Sequence, residues 1–143
     1  VIVLVDYAHS PDALRHALTS LRALATGELW CVFGCGGERD PGKRPEMGAI
    51  ADRLADKIVL TNDNPRAEDP LQILGQIESG IQRHKAVRIP DRREAIGFAI
   101  RQADSGDLVL VAGKGHETTQ VVGSERIPFS DRTVVANLLE EIC

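Results

Sequence analysis

Four short runs hold most of the side chains in this sequence that can do chemistry. They are Asp6-Tyr7-Ala8-His9, the glycine-rich stretch from Gly34 to Asp40 with Gly42 and Lys43 behind it, Asp63-Asn64-Pro65-Arg66, and Gly113-Lys114-Gly115-His116-Glu117. Arg66 offers a planar fork that pairs with a carboxylate through two hydrogen bonds, and Pro65 stiffens the loop that carries it. The same residues also suit a plain turn, since Asn and Pro both favour one, and Arg66 would then be a solvated charge. Gly113 and Gly115 allow backbone to approach a ligand closely, and Glu117 beside them suits an ammonium group. An Arg and a Glu facing one pocket match the zwitterionic head of an amino acid. Arg39 adds a second carboxylate partner.

Other chemistries fit less well. Gly37 and Gly42-Lys43 have the spacing of a phosphate-binding loop. However, Arg44 stands where that loop needs a hydroxyl for magnesium, Glu38 and Asp40 would repel phosphate, and Pro41 removes a backbone donor. Gly34-x-Gly36 begins a dinucleotide fingerprint, but Arg39 replaces its third glycine. The histidines lack paired ligand spacing and Cys31 sits in an apolar run, so Cys31 reads as a core thiol and no metal site is expected. No Ser or Cys occupies a glycine elbow, which leaves nucleophilic catalysis unsupported. His16 and His84 read as surface residues without a special role.

Strands and helices must position the four runs. Apolar runs at 1–5, 29–33, 57–61, 86–89 and 108–112 read as strands buried on both faces, as in a parallel sheet. Helices alternate with them. Ser10-Pro11-Asp12 starts one, with Leu14, Leu18 and Leu21 on one face; Pro45 opens the next, with Met47, Ile50, Ala51 and Leu54. Asp69-Pro70 starts a third with Leu71, Leu74, Ile77 and Ile81 inward, and Asp91 with Glu94 reads as a reciprocal cap ahead of Ile96, Ala99 and Ile100. Residues 119–122 and 125–128 suit a hairpin turning at Gly123-Ser124, and a last helix runs from Ser130 to about Glu141. The expected architecture is a doubly wound, mostly parallel α/β sheet (Rossmann-like) with a C-terminal β-hairpin and helix. Such sheets bind ligands at the carboxyl ends of their strands. All four chemical runs are strand exits, whereas the strand entries at 26–28, 55–56 and 104–107 look bland.

The length of 143 residues fits one domain. Seventeen Lys and Arg against 21 Asp and Glu give a net charge of −4, and 43% of residues are hydrophobic. That balance excludes disorder and argues against an electrostatically driven nucleic-acid binder. The apolar run at 1–5 falls far short of the roughly 20 residues of a membrane span. Three cysteines make no disulfide framework and fit a reducing compartment. The sequence starts without Met, inside a strand-like run and with no signal-peptide pattern, so it reads as a domain of a longer protein.

The four runs, together with Lys43-Arg44-Pro45 and Ser130-Asp131-Arg132, resemble the C-terminal domain of the Mur ligases, in order and spacing across essentially the whole chain. The match is to the branch that adds meso-diaminopimelate. The resemblance implies an ATP-dependent amide ligase acting in the bacterial cytoplasm on peptidoglycan precursors. A carboxylate of UDP-N-acetylmuramoyl-L-alanyl-D-glutamate becomes an acyl phosphate, and the amine of diaminopimelate attacks it. By the resemblance, residues 1–143 are the third domain, which brings the amino acid and closes over ATP. The UDP-binding domain and the central ATPase domain, which holds most of the Mg2+ contacts, are not in the sequence. It further implies that Arg39, Asp63, Asn64, Arg66, Gly113 and Glu117 serve diaminopimelate, with Asp63 supporting the loop, and that Asp6, Tyr7 and His9 lie near the nucleotide. No catalytic residue is expected within this domain, which alone would be inactive. Lys114 and His116 lie in the motif without an assigned role. Two alternatives stay open: a non-catalytic nucleotide-binding or regulatory module, and the equivalent domain of a murein peptide ligase or folylpolyglutamate synthetase.

Overall fold

The computed structural model describes residues 1–142. The elements run β1 (Ile2–Asp6), α1 (Pro11–Arg22), β2 (Leu29–Phe33), α2 (Lys43–Leu54), β3 (Lys57–Leu60), α3 (Pro70–Glu78), β4 (Val87–Arg88), α4 (Arg92–Gln102), β5 (Leu108–Ala112), β6 (Thr119–Val122), β7 (Glu125–Pro128) and α5 (Asp131–Ile142). Five strands form one sheet in the order β1-β5-β2-β3-β4, every pair parallel. The antiparallel pair is the separate hairpin β6–β7.

The face each helix covers follows from the strand order and the right-handedness of crossovers. The chain advances from β1 to β2, β3 and β4, and α1, α2 and α3 pack on one face with Leu29, Cys31, Phe33, Ile58 and Leu60. It then reverses through α4 and inserts β5 between β1 and β2. α4 and α5 cover the opposite face, against Trp30, Val32, Val59, Val109 and Val111. The helices therefore leave the carboxyl edge in opposite directions around β5, which opens a crevice there.

Most sequence expectations for the elements hold, with instructive differences. β2 and β5 are buried throughout, but β1 is an edge strand whose residues alternate in exposure; Ile2 is 62% exposed. Its apolar run reflects composition, not burial on two faces. α2 begins at Lys43, two residues before Pro45, because Lys43 N and Arg44 N already bond to the carbonyls of Asp40 and Pro41. Pro45 lies in the first turn, where a missing N–H costs nothing. Leu71 points outward at 57% exposure, and Ile73 takes the inward place with Leu74 and Ile77. Asp91 caps α4 by accepting from Glu94 N, without the reciprocal bond from the Glu94 carboxylate.

The entry edge is not bland. Buried Asp107 accepts from Glu28 N, Asp104 N and Trp30 Nε1, tying three segments together. Burial works against its charge, yet these donors hold its pKa below the ordinary value. His84 also has a structural role. Asp52 of α2 accepts from the backbone of Gln82, Arg83 and His84 and meets His84 Nδ1 at 3.0 Å.

α2 and α3 touch through Gly48. A Cβ built there would lie 2.1 Å from the carbonyl oxygen of Ile77. In an open helix, Gly→Ala gains about 1 kcal/mol. Here the backbone of α3 would have to move, so Gly48→Ala should destabilise the chain by about 1–3 kcal/mol, read as a lower denaturant midpoint. An unchanged or higher midpoint would show that the two helices do not pack so closely.

Candidate functional site

The exit loops of β1, β2, β3 and β5 line a cavity of about 340 Å³ at the carboxyl edge of the sheet. Its walls include Tyr7, His9, Arg39, Asp63, Asn64, Arg66, Gly113 and Glu117, so eight of the nine expected site residues meet there. The ninth, Asp6, does not line it; its carboxylate accepts from Ala8 N at 2.9 Å and shapes the turn after β1. Cys35, Asp40 and Lys43 of the glycine-rich run, which carry no expected ligand role, also line the cavity, as does Met47 of α2, expected only in the helix core. Two larger clefts lie beside α1, but neither gathers these exit loops.

The loop 62–66 is the centre of the site. Asp63 and Asn64 are buried. Arg66 takes a left-handed backbone conformation, φ 54°, costly for a side chain without a compensating frame. The hairpin β6–β7 supplies that frame: Arg66 N donates to Val121 O, and Gly123 N donates to Arg66 O at 2.6 Å. The Arg66 guanidinium donates through one nitrogen to Gly37 O at 2.9 Å, which leaves the rest of its fork for the cavity. Sequence could identify the Arg but not the hairpin clamp, which joins residues far apart in the chain.

The glycine-rich loop after β2 packs onto this centre. Gly37 N donates to Asn64 O at 2.7 Å, and a Cβ on Gly37 would lie 1.9 Å from Pro65 O. Further donors are also committed: Glu38 N to Glu68, Gly42 N to the Asp40 carboxylate, Lys43 N and Arg44 N to backbone carbonyls. A phosphate cradle needs such N–H groups free and convergent, so the P-loop-like spacing here builds a structural loop. Arg44 is buried and donates to both oxygens of Glu68, to Gln76 and to Gly36 O. Where magnesium chemistry would want a hydroxyl, the chain has a structural ion pair.

Burial also defines the β5 exit. Lys114 is fully buried and donates to Asn64 Oδ1 at 2.8 Å and to Thr119 O at 2.9 Å. Its Nζ lies 3.6 Å from Glu117 and 3.9 Å from Asp63. Burial lowers its pKa and the Asp63 charge opposes that shift. Cys35 is held as a neutral thiol, its pKa pushed up to about 12 chiefly by burial, so it offers no nucleophile. Behind the loops, Arg92 pairs with Asp131, both fully buried, and also donates to Asn62 O and Ala112 O. At the rim, the Tyr7 ring lies 4.4 Å from the His9 ring and 6.1 Å from that of His116.

Chemically, the cavity is amphoteric. Arg39, Lys43 and Arg66 supply positive charge, and Asp40, Asp63 and Glu117 negative. Fold and site together define a parallel α/β domain with a pocket of mixed charge on its strand exits, as expected of an amino-acid ligase module. Residues 1–115 match the family model described as Mur ligase, glutamate ligase domain, and the chain belongs to that family. It is 55% identical over 130 residues to the UDP-N-acetylmuramoyl-L-alanyl-D-glutamate--2,6-diaminopimelate ligase of Coxiella burnetii, covering 90% of this chain and 27% of the relative. It is 52% identical over 141 residues to the protein of the same name from Geobacillus kaustophilus, covering 97% and 29%. A solved structure of a ligase of that name superposes with a TM-score of 0.94 at 46% identity, over 98% of this chain and 29% of the other. The chain thus spans under a third of the length of these relatives. Among the described residues, no helix is long and apolar enough to cross a membrane.

Hydrogen bonds from Arg44 are the main cause that holds the Glu68 pKa at about 2, well below its ordinary 4.5. A depressed folded pKa stabilises the fold above the unfolded value, and this contribution fades as pH falls from about 4.5 through about 2. Denaturant melts of the wild type should therefore weaken over that window, and Glu68→Gln should flatten the slope there. A Glu68→Gln variant with the wild-type slope would show that the Arg44 pair does not set acid stability.

Proposed function

We propose that this chain is the amino-acid-binding domain of a ligase that joins meso-diaminopimelate to UDP-N-acetylmuramoyl-L-alanyl-D-glutamate. In this reading ATP converts a carboxylate of the muramyl dipeptide into an acyl phosphate, the amine attacks, and ADP and phosphate leave. Arg39 and Arg66 take carboxylates of diaminopimelate, Asn64 donates to it, and Glu117 and Asp63 compensate its ammonium charge. Gly113, at φ 119°, keeps the wall thin beside Asp63. The exposed rings of Tyr7 and His9 form the rim nearest the nucleotide, and Asp6 holds their turn. The names of the relatives and the strand-exit pocket support this assignment.

The observation that carries the reading is the clamped Arg66. A guanidinium held at the wall of a partly enclosed cavity without an acidic partner needs an anionic group on the ligand. Diaminopimelate has a second carboxylate to give it; lysine does not. The loop donors at Gly37, Glu38, Gly42 and Lys43 are engaged within the protein, so triphosphate and Mg2+ belong mainly to the central ATPase portion of a longer protein. The domain on its own would recognise substrate but not turn over, and its place of action would be the bacterial cytoplasm.

In the full-length protein, Arg66→Ala should raise KM for diaminopimelate about 10-fold to 150-fold, the loss of one charge-assisted carboxylate bond of roughly 1.5–3 kcal/mol. An unchanged KM in steady-state assays would remove the assignment.

A further inference from the structure

Asn64 Oδ1 faces two donors, the Lys114 ammonium at 2.8 Å and the Val121 N–H at 2.9 Å. A donor must meet an acceptor, so the amide can sit only one way round: oxygen inward and NH2 outward. Among the described residues the NH2 group has no protein acceptor, and Asn64 lines the cavity. The buried side thus dictates the polarity presented to the ligand. We propose that Lys114 is a positioning residue that acts through Asn64, fixing its amide so that the cavity offers a donor to a ligand carboxylate.

This inference rests on the diaminopimelate reading and adds a mechanism for its selectivity. Lys114 suits the task because an ammonium has three donors and no acceptor. Two of its donors go to Asn64 and Thr119, and the remaining charge lies near Glu117 and Asp63. Gln120 Nε2 donates to Asp63 O at 2.7 Å, so the residue before Asn64 is held by the same hairpin. With both the hairpin and Lys114 in place, rotation of the amide would set two donors against NH2.

The test uses the full-length enzyme and a double-mutant cycle. Wild-type saturation by diaminopimelate, measured first, carries the functional reading on its own. Lys114→Met keeps the unbranched shape and should raise KM for diaminopimelate about 10-fold or more, with KM for ATP within about 2-fold. In an Asn64→Ala background the same replacement should change KM by less than about 3-fold, because the two residues act as one unit. Additive effects would overturn the proposal while leaving the substrate assignment intact. Asn64→Asp gives an independent arm should Lys114→Met fold poorly. It keeps the bonds to Lys114 and Val121 but turns an acceptor to the cavity. It should raise KM more than Asn64→Ala does, with a thermal midpoint no lower than wild type. An Asn64→Asp variant that binds diaminopimelate as well as Asn64→Ala, or better, would also overturn it.

Discussion

The buried pair of Arg92 and Asp131 is the constraint on which the site depends. Arg92 stands at the first turn of α4 and Asp131 at the start of α5, and neither is exposed to solvent. The same guanidinium donates to Asn62 O and Ala112 O, the residues just before the two loops that carry Asp63–Arg66 and Gly113–Glu117. One side chain therefore sets where both loops leave the sheet. Such a pair gives little net stability over an apolar replacement, because desolvation offsets the attraction. Removing one partner, however, would strand a buried charge at a cost of about 3–5 kcal/mol. What the pair supplies is geometry, and the geometry is that of the cavity wall.

The cavity is built by layers of commitment from there outward. Arg44 and Glu68 anchor the glycine-rich loop, whose Gly37 in turn bonds to Asn64. The hairpin closes over the other side, holding Arg66 in a backbone conformation it would not choose alone. The strained residue is the one proposed to recognise the ligand, and such sites are where strain is usually tolerated. Nearly every polar group behind the wall is bonded within the protein, so the unpaired charge that remains faces the cavity. Charges of both signs on that wall suit the proposed ligand, diaminopimelate, which carries two carboxylates and two ammonium groups.

The parallel strands, the helix starts at Pro11, Pro70 and Asp91, and the clustering of chemistry on strand exits were all legible in the sequence, because each rests on local patterning. Failures came where a residue's environment is set by distant chain. The apolar residues of β1 could not announce an edge strand, since edge position depends on which strand β5 inserts beside. Leu71 has the helical spacing of an inward residue, yet Ile73 is the residue that packs. Lys114 sits between two glycines like a flexible surface residue, and only its contacts with Asn64 and Thr119, 50 and five residues away, make it part of the interior. The exposed-looking entry residue Asp107 and the apparently idle His84 follow the same pattern: partners far along the chain decide the role.

The central claim is that the cavity demands a ligand with a distal carboxylate. It is tested most directly by the ratio of kcat/KM for meso-diaminopimelate and L-lysine in the full-length enzyme. The two differ chiefly in that group, and a site built to bond it rejects the analogue that lacks it. A preference for diaminopimelate of about 10³-fold or more is expected. Comparable kcat/KM values for the two amino acids would contradict the reading of Arg66 and of the pocket it helps to define.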